Sequence, residues 1–295
     1  MATLTIFTPT YNRAYSLPRL YGSLCRQTSK DFIWSIVDDG SSDNTKELVE
    51  NWQTLSDIPI IYRAQTNGGK MRAHNKGASL CDTELFLCVD SDDFLVDNAV
   101  ELILRTWQNC PKDGFVCGIV AYRTILRGGE CTIPARFPTL QMSSLSDLYA
   151  KGFHGDTTLI FKSDVIKKYP FAEIDGENFA TEAYAYEQID QRYKYILLDE
   201  ALTICEYQED GYTHNILKLH YKNPKGMALY YNQHAVLTVK GKIDSLRAVV
   251  YYIIYSRIAG EKHVYKNSNK KGLFYLVAWI LSFHYYKILI KQING

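Results

Sequence analysis

Leu85-Phe86-Leu87-Cys88-Val89-Asp90-Ser91-Asp92-Asp93-Phe94 is an apolar run that breaks off into three carboxylates. Five apolar residues in a row, closed by a polar turn, read as a strand covered on both faces, which is the usual state of strands in a parallel sheet. Toward the N-terminus, strand-like and helix-like runs alternate: strands over 4–8, 32–37 and 58–62, and helices over about 16–27, about 45–52 and after Gly69. Ser16 is placed to cap its helix, Pro18 is tolerated in the first turn, and Leu17, Leu20, Tyr21 and Leu24 share one face. The alternation predicts an α/β fold with a mostly parallel sheet flanked by helices.

Open sheets of this kind bind ligands beyond the carboxyl ends of their strands. The residues that follow each strand are Pro9-Thr10-Tyr11-Asn12-Arg13, Asp38-Asp39-Gly40-Ser41-Ser42-Asp43, Asn67-Gly68-Gly69-Lys70 and Asp90-Ser91-Asp92-Asp93. All four loops are expected on one edge. Past residue 111 the pattern loosens up to a further strand over 157–161. This stretch, with Gly128-Gly129, Pro134 and Pro138, is read as loops on the substrate side. A helix over about 178–193 and strand-like runs over 195–198 and 201–205 close the body.

Composition excludes several classes. The chain has 295 residues, 46% of them apolar, with 18 Gly and 8 Pro, so it is neither disordered nor collagen-like. Seven cysteines without CxxC spacing, several inside apolar runs, read as reduced core residues of a cytosolic protein rather than a disulfide framework. The first residues, Met1 to Pro9, lack a basic leader region and read as a strand, not a signal peptide. The net charge of +1 hides an asymmetry: up to residue 210 there are 20 Lys and Arg against 30 Asp and Glu, and beyond it 13 against 2. The division at 210 separates an acidic body, 1–210, from a basic tail, 211–295, that holds 11 of the 23 Tyr.

Asp90, Asp92 and Asp93 crowd negative charge at the end of a buried strand. A hard divalent cation, Mg²⁺ or Mn²⁺, with oxygen ligands answers that crowding and leaves positions for the phosphates of a nucleotide. A single Asp would suit a helix cap; three favour metal. Asp39 either accepts from a nucleobase imide or ribose hydroxyl, or belongs to an ordinary turn before the next helix. Tyr11 either stacks on a base or simply packs. Gly68-Gly69-Lys70-Met71-Arg72 sets two cations at a helix start, suited to a diphosphate or to a solvated turn. No GxxxxGK[ST] and no GxGxxG occurs, which speaks against P-loop NTPases and standard dinucleotide dehydrogenases. The histidines show no zinc-ligand spacing.

Taken together, Thr8-Pro9-Thr10-Tyr11-Asn12, Val37-Asp38-Asp39-Gly40-Ser41 and Asp90-Ser91-Asp92-Asp93 resemble, in order and spacing, the family 2 inverting glycosyltransferases of the GT-A fold, a Rossmann-like architecture, over residues 3–205. The resemblance implies a nucleotide-sugar donor, most readily UDP-linked, with Pro9, Tyr11 and Asp39 on the nucleoside. It also implies Lys70, Arg72 and Asn75 on the nucleotide side, Asp90 and Ser91 near ribose and diphosphate, and Asp92, Asp90 and Asp93 around Mn²⁺ or Mg²⁺. The acceptor would be a glycan or lipid-linked precursor in surface polysaccharide synthesis. Inversion requires a base for the acceptor hydroxyl. In place of the family's acidic pair the chain offers Glu177 and Glu182. On a helix over 178–193, at about 100° per residue, Glu182 falls within the apolar arc of Phe179, Ala183, Tyr186, Ile189 and Tyr193, so it is preferred over Glu177. Glu206 to His214 falls where relatives carry a loop that closes over the donor, and His214 could reach a phosphate. An Asp-x-Asp phosphatase and a non-catalytic nucleotide-sugar binder or scaffold are the alternatives.

The tail has two apolar helical stretches, 245–259 and 272–293, with a basic segment between them. The apolar core of the second is too short to span a bilayer, and its Trp, Tyr and Lys suit a membrane interface. The expectation is a cytoplasmic protein, peripheral at the inner face of the cell membrane, with packing on the body or on a second copy in a homo-oligomer as the other possibility. Nucleic acid fits less well, because the cations are interleaved with Leu, Ile and Val.

Overall fold

The computed structural model describes residues 2–111, 114–133, 135–206, 216–238 and 240–294. The chain forms two compact units, Met1–Pro170 with Arg192–Tyr207, and Phe171–Gln191 with Gln208–Gly295. Residues 171–191 therefore cluster with the tail.

The first unit begins β1 (Leu4–Thr10), α1 (Leu17–Cys25), β2 (Phe32–Asp38), α2 (Thr45–Leu55), β3 (Ile60–Ala64), α3 (Lys70–Ser79) and β4 (Leu85–Cys88). It continues through β5 (Phe94–Leu95), α4 (Ala99–Gln108), β6 (Val116–Arg127), β7 (Glu130–Thr132), β8 (Met142–Ser143) and α5 (Leu145–Ala150). β9 (Thr157–Lys162) and α6 (Ser163–Lys168) follow. α7 (Ala183–Asp190) belongs to the second unit, after which β10 (Lys194–Cys205) returns to the sheet.

The strands run in the order β3-β2-β1-β4-β9-β6-β10-β5, with β7 on β6 and β8 on β10. β1 to β4 are mutually parallel, as are β6 and β10, while β9 is antiparallel to both β4 and β6. The mostly parallel α/β sheet expected from the alternation is present. Every residue of β1 is buried, as a central strand requires. Pro9 is accommodated because pairing with β4 has already ended at Phe7 opposite Cys88. One face is a core of Leu17, Leu20, Leu24, Ile103 and Trp107 against Leu4, Ile6, Leu87 and Ile119. On α3, a Cβ at Gly77 would come within 2.1 Å of the Phe7 ring, so glycine there lets α3 lie against β1.

The structure departs from the expectations in four places. The stretch 116–127, read as loops, is a twelve-residue strand whose first seven residues are all buried. The runs 195–198 and 201–205 are one strand, irregular between Leu197 and Ala201, where the register against β6 shifts. The helix expected over 178–193 spans only Ala183–Asp190, so Glu182 is its N-cap residue rather than part of its first turn. Ser16 stands before α1, but its hydroxyl donates to the Arg13 carbonyl at 3.3 Å and does not cap. All seven cysteines are free; Cys25 and Cys131 are exposed, and the others are buried or half-buried.

The second unit adds α8 (Ile216–Lys222), α9 (Pro224–Leu237), α10 (Lys242–Ile258), α11 (Val264–Asn267) and α12 (Gly272–Asn294) to α7. α10 is its central helix, with Ala248, Val249, Ile253 and Ile254 buried among α9 and α12. Tyr231 of α9 stacks on Tyr251 and Tyr255 of α10 at 5.0 and 5.7 Å.

His234 of α9 ties three helices together: one ring nitrogen meets Glu187 of α7 and the other meets Asp244 of α10 at 3.1 Å. Burial disfavours the imidazolium, but Glu187 and then Asp244 outweigh it, so the His234 pKa is raised. A raised folded-state value contributes stability in full below the unfolded value of about 6.5, and that contribution is lost as pH rises through the folded value. The melting temperature is therefore expected to fall as pH is raised from about 6 toward 9, and His234→Gln should flatten that dependence. Parallel pH profiles of the two proteins by differential scanning calorimetry check this.

Candidate active site

The site lies on the first unit, where the loops after β1, β2, β3 and β4 meet. Asn12, with a positive φ of 53°, accepts from the Ser42 backbone N–H at 2.8 Å and donates its own N–H to the Ser41 hydroxyl at 2.8 Å. Asp43 accepts from the Ala14 N–H at 3.0 Å. The first two loops are thereby stitched together. Pro9 is buried at the end of β1, and Tyr11 is half exposed above it, presenting its ring to solvent.

Asp38 and Asp39 are both buried, with different partners. Asp38 accepts from the Ser41 N–H at 2.8 Å and from the Tyr62 hydroxyl at 2.5 Å. Burial, then that hydrogen bond, pushes the Tyr62 phenol well up. Asp39 accepts from the Gln65 side chain at 2.7 Å and from the backbone N–H groups of Gly68 and Gly69 at 2.9 and 2.7 Å. At the helix start expected to suit a diphosphate, these two N–H groups hold Asp39. Gly40, at φ 84°, lies so close to this turn that a Cβ would meet the Asn67 nitrogen at 3.0 Å.

Gly69 precedes α3, and Lys70 in its first turn reaches Asp90 at 2.8 Å. Arg72 turns back to donate to the Gly68 carbonyl at 2.7 Å, and Asn75 is half-buried one turn on. Burial disfavours charge on Asp90, but Lys70 and then Arg123 overcome it and hold the carboxyl below its ordinary value. Ser91 is buried. Asp92 is half-buried, and burial followed by repulsion from Asp90 raises its pKa. Asp93 turns inward toward Arg123, at 3.4 Å, and the Cys205 thiol; burial leads the causes that push it up to about 7.

The three carboxylates are thus sorted. One is paired with a lysine, one is half-buried with its charge disfavoured, and one is packed into the sheet. Among the described residues, no group of three or more His, Cys, Asp or Glu is arranged to hold a metal ion. The set of Asp92, Asp90 and Asp93 expected around a cation is not assembled, because Asp93 is drawn away by Arg123 and Cys205. Asp92 still fits a divalent ion: a carboxylate whose charge is disfavoured by burial and by a like neighbour gains from a cation beside it. Mg²⁺ and Mn²⁺ commonly take one or two carboxylates, with substrate phosphates completing the shell.

Two arginines escaped the sequence reading. Arg19 donates to the Asp92 carbonyl at 2.7 Å, pairs with Glu206 at 2.5 Å and lies over the Phe94 ring, fixing the backbone of the acidic loop. Arg123 serves Asp93 and Asp90 from β6. Its only signal was a lone cation inside Val116-Cys-Gly-Ile-Val-Ala-Tyr-Arg123-Thr-Ile-Leu126. A groove of about 440 Å³ on the same unit is lined by Arg136, Phe137, Leu140, Leu197 and Asp199. Beneath it the buried Tyr122 donates to Asp199 at 2.6 Å and accepts from the Phe137 N–H at 2.7 Å.

Of the two acids read as base candidates, both in the second unit, Glu177 is buried and accepts from the backbone N–H groups of Lys225 and Gly226, each at 2.8 Å. It holds the N-terminus of α9. Glu182 is half-buried and accepts a 3.4 Å hydrogen bond from the Tyr186 hydroxyl. His214 and the rest of 207–215 lie outside the described residues.

The loop cluster, basic and acidic together, lies at the carboxyl edge of a mostly parallel sheet, which is where open α/β folds bind their ligands. The chain belongs to glycosyl transferase family 2, whose profile matches residues 5–166. The phosphatase alternative is overturned by this match. The chain is 34% identical over 113 residues to an uncharacterized glycosyltransferase of Haemophilus influenzae, covering 38% of this chain and 37% of that one. It is 31% identical over 196 residues to the GalNAc(5)-diNAcBac-PP-undecaprenol beta-1,3-glucosyltransferase of Campylobacter jejuni, covering 61% and 58%. The chain thus spans between about a third and three-fifths of these relatives. Its fold is similar to that of S. aureus TarS 1-349 in complex with UDP-GlcNAc, with a TM-score of 0.61, 17% identity and 98% and 81% coverage. It is also similar to the mannosyltransferase PcManGT of Pyrobaculum calidifontis in complex with GDP-Man and Mn2+, with a TM-score of 0.54, 16% identity and 99% and 83% coverage.

Proposed function

We propose that this glycosyltransferase moves a sugar, with inversion, from a UDP-sugar to a glycan or lipid-linked acceptor in surface polysaccharide synthesis, and does so at the inner face of the cell membrane. The observation that carries the reading is the acidic loop after β4, where Lys70 engages Asp90 while Asp92 is left half-buried with its charge disfavoured. Support for the donor and acceptor classes comes from a fold neighbour in complex with UDP-GlcNAc and a relative named for a PP-undecaprenol-linked glycan.

Pro9 and Tyr11 would bracket the base, with Asp39 acting on the nucleoside side through the turn it holds. Lys70, Arg72, Asn75 and Ser91 would line the path of the diphosphate. Asp92 and Asp90 would hold Mn²⁺ or Mg²⁺, and the bound ion would offset the negative charge that develops on the departing diphosphate. Lys70 adds a second cation to that charge. Glu182 would take the proton from the acceptor hydroxyl, and attack at the anomeric carbon opposite the leaving group inverts its configuration. The groove at Phe137 and Asp199, an aromatic face beside a carboxylate, suits the hydroxyls of an acceptor saccharide.

Thermal shift with UDP, GDP, CDP and ADP, each with Mn²⁺ or EDTA, tests the donor assignment. Stabilisation by UDP that requires metal is expected; a response to none of the four would overturn it. The base assignment makes a second expectation. Glu182→Gln should lower kcat by about 10²-fold or more with the melting temperature unchanged. Glu177→Ala should instead cost about 1–2 kcal/mol of stability by uncapping α9. Kinetics alongside denaturant unfolding of both variants would expose a reversed assignment.

A further inference from the structure

From Leu273 to Tyr286, α12 carries no Lys, Arg, Asp or Glu on any face, yet only a narrow stripe of it is buried. Tyr275, Ala278, Ser282 and Leu289, spaced three, four and seven residues apart, pack with α10. The opposite face presents Leu273, Leu276, Val277, Ile280 and Phe283, of which Leu273 is 75% and Ile280 59% exposed. A helix of the interior would bury both faces, and a helix of an aqueous surface would carry charge on the second. The side chains that border this face are the kind that partition to a headgroup layer: Trp279 and Tyr286, and Arg257 of α10, which donates to Ser282 and lies over the Phe283 ring at 4.7 Å.

We infer that the outward face of α12 is a docking surface for an anionic lipid bilayer, with the helix lying in the interface rather than crossing it. The inference names the element behind the membrane location given above and does not depend on the transfer reaction. Charge complementarity selects the occupant. Residues 262–294 contain six lysines and no carboxylate, with Lys270 and Lys271 before the helix and Lys287 and Lys291 in its last turns. A second copy of a segment whose charges are all basic would be repelled, whereas anionic headgroups neutralise it. Length selects the orientation. By length and mean hydropathy the helix could cross a membrane. However, the fourteen residues from Leu273 to Tyr286, free of Lys, Arg, Asp and Glu, reach only about 20 Å, short of the roughly 30 Å hydrocarbon core. Lys287 and Lys291 fall on the outward side, where they can extend to phosphates while the turns before them sink among acyl chains.

Vesicle flotation of the full chain tests this. The protein is expected to float with mixed phosphatidylglycerol and phosphatidylcholine vesicles and much less with phosphatidylcholine alone. Leu276→Ser with Ile280→Ser should reduce flotation about tenfold or more. Lys287→Gln with Lys291→Gln should reduce it about fivefold per lysine, and only on the anionic vesicles. Trp279 gives a readout on the element itself: Trp34, Trp52 and Trp107 are buried, so a blue shift on adding vesicles reports α12. The melting temperature of each variant shows that it has folded. Wild type that stays unfloated with both vesicles overturns the inference, as does a lipid-free dimer that the Leu276 and Ile280 substitutions dissociate. Sugar transfer is not measured here, so this failure leaves the transfer proposal standing. Flotation by a protein that transfers no sugar in a separate turnover assay would strike the transfer proposal alone.

Discussion

Asp92→Ala is expected to lower kcat about 10²- to 10³-fold, the usual consequence of removing a group that stabilises developing charge. The same substitution should abolish metal-dependent stabilisation by UDP. It should not weaken the ligand-free fold. Burial and the neighbouring Asp90 both disfavour the Asp92 carboxylate, so its removal relieves repulsion, and the ligand-free variant should melt at or above the wild-type temperature. Activity lost at constant or raised stability is the signature to seek, by turnover with a labelled donor and calorimetry on the same preparation. A variant that melts lower and retains UDP stabilisation would assign Asp92 a purely structural part.

The second large effect lies in the sheet. Gly118→Ala is expected to destabilise the protein by about 3 kcal/mol or more and to leave little folded material. Gly118 sits on β6 beside a one-residue irregularity, since Lys194 pairs with Val116 and Tyr195 with Gly118. A Cβ at Gly118 would stand 1.9 Å from the Ile160 carbonyl oxygen and 2.9 Å from the carbonyl carbon, both backbone atoms of β9. Backbone in the middle of a sheet has nowhere to move. Gly114→Ala, where no atom lies within 4 Å, is the matched control and should be near neutral. Denaturant titrations of the pair, indistinguishable from one another, would contradict the register between β6 and β9.

The sequence made the first half of the sheet legible because its strands are short, apolar and punctuated by polar loops. The β6 strand was hidden by its context. Gly118, Tyr122 and Arg123 interrupt its apolar run, and Gly128-Gly129 and Pro134 drew attention to turns instead. Periodicity also overextended α7, and with it the orientation argument for Glu182, because an amphipathic pattern does not mark where a helix begins. The loop cluster was visible as a list of residues, but its internal partnerships were not. That Asp39 grips Gly68 and Gly69, or that Arg123 and Cys205 draw Asp93 inward, depends on contacts between residues 29 to 112 positions apart, which no local pattern encodes.

The antiparallel strand β9 has a consequence for the order of assembly. In the sheet, β4 and β6 do not touch; β9 lies between them and pairs with both. A nascent chain that has emerged only as far as residue 127 therefore holds one partial sheet, β3-β2-β1-β4, and a β6 strand whose partners β7, β9 and β10 have yet to appear, so β4 and β6 both present unpaired edges. Such edges are open to illegitimate pairing until Thr157–Lys162 arrives to close the gap. The closing contacts, Leu85 with Lys162 and Gly118 with Phe161, are long-range pairings, the kind that form slowly because loop-closure entropy is lost before they are made. Until they form the β4 loop, with its acidic residues, is anchored on one flank only, so binding competence should emerge late, in step with the seam and not with the strands that carry the loops.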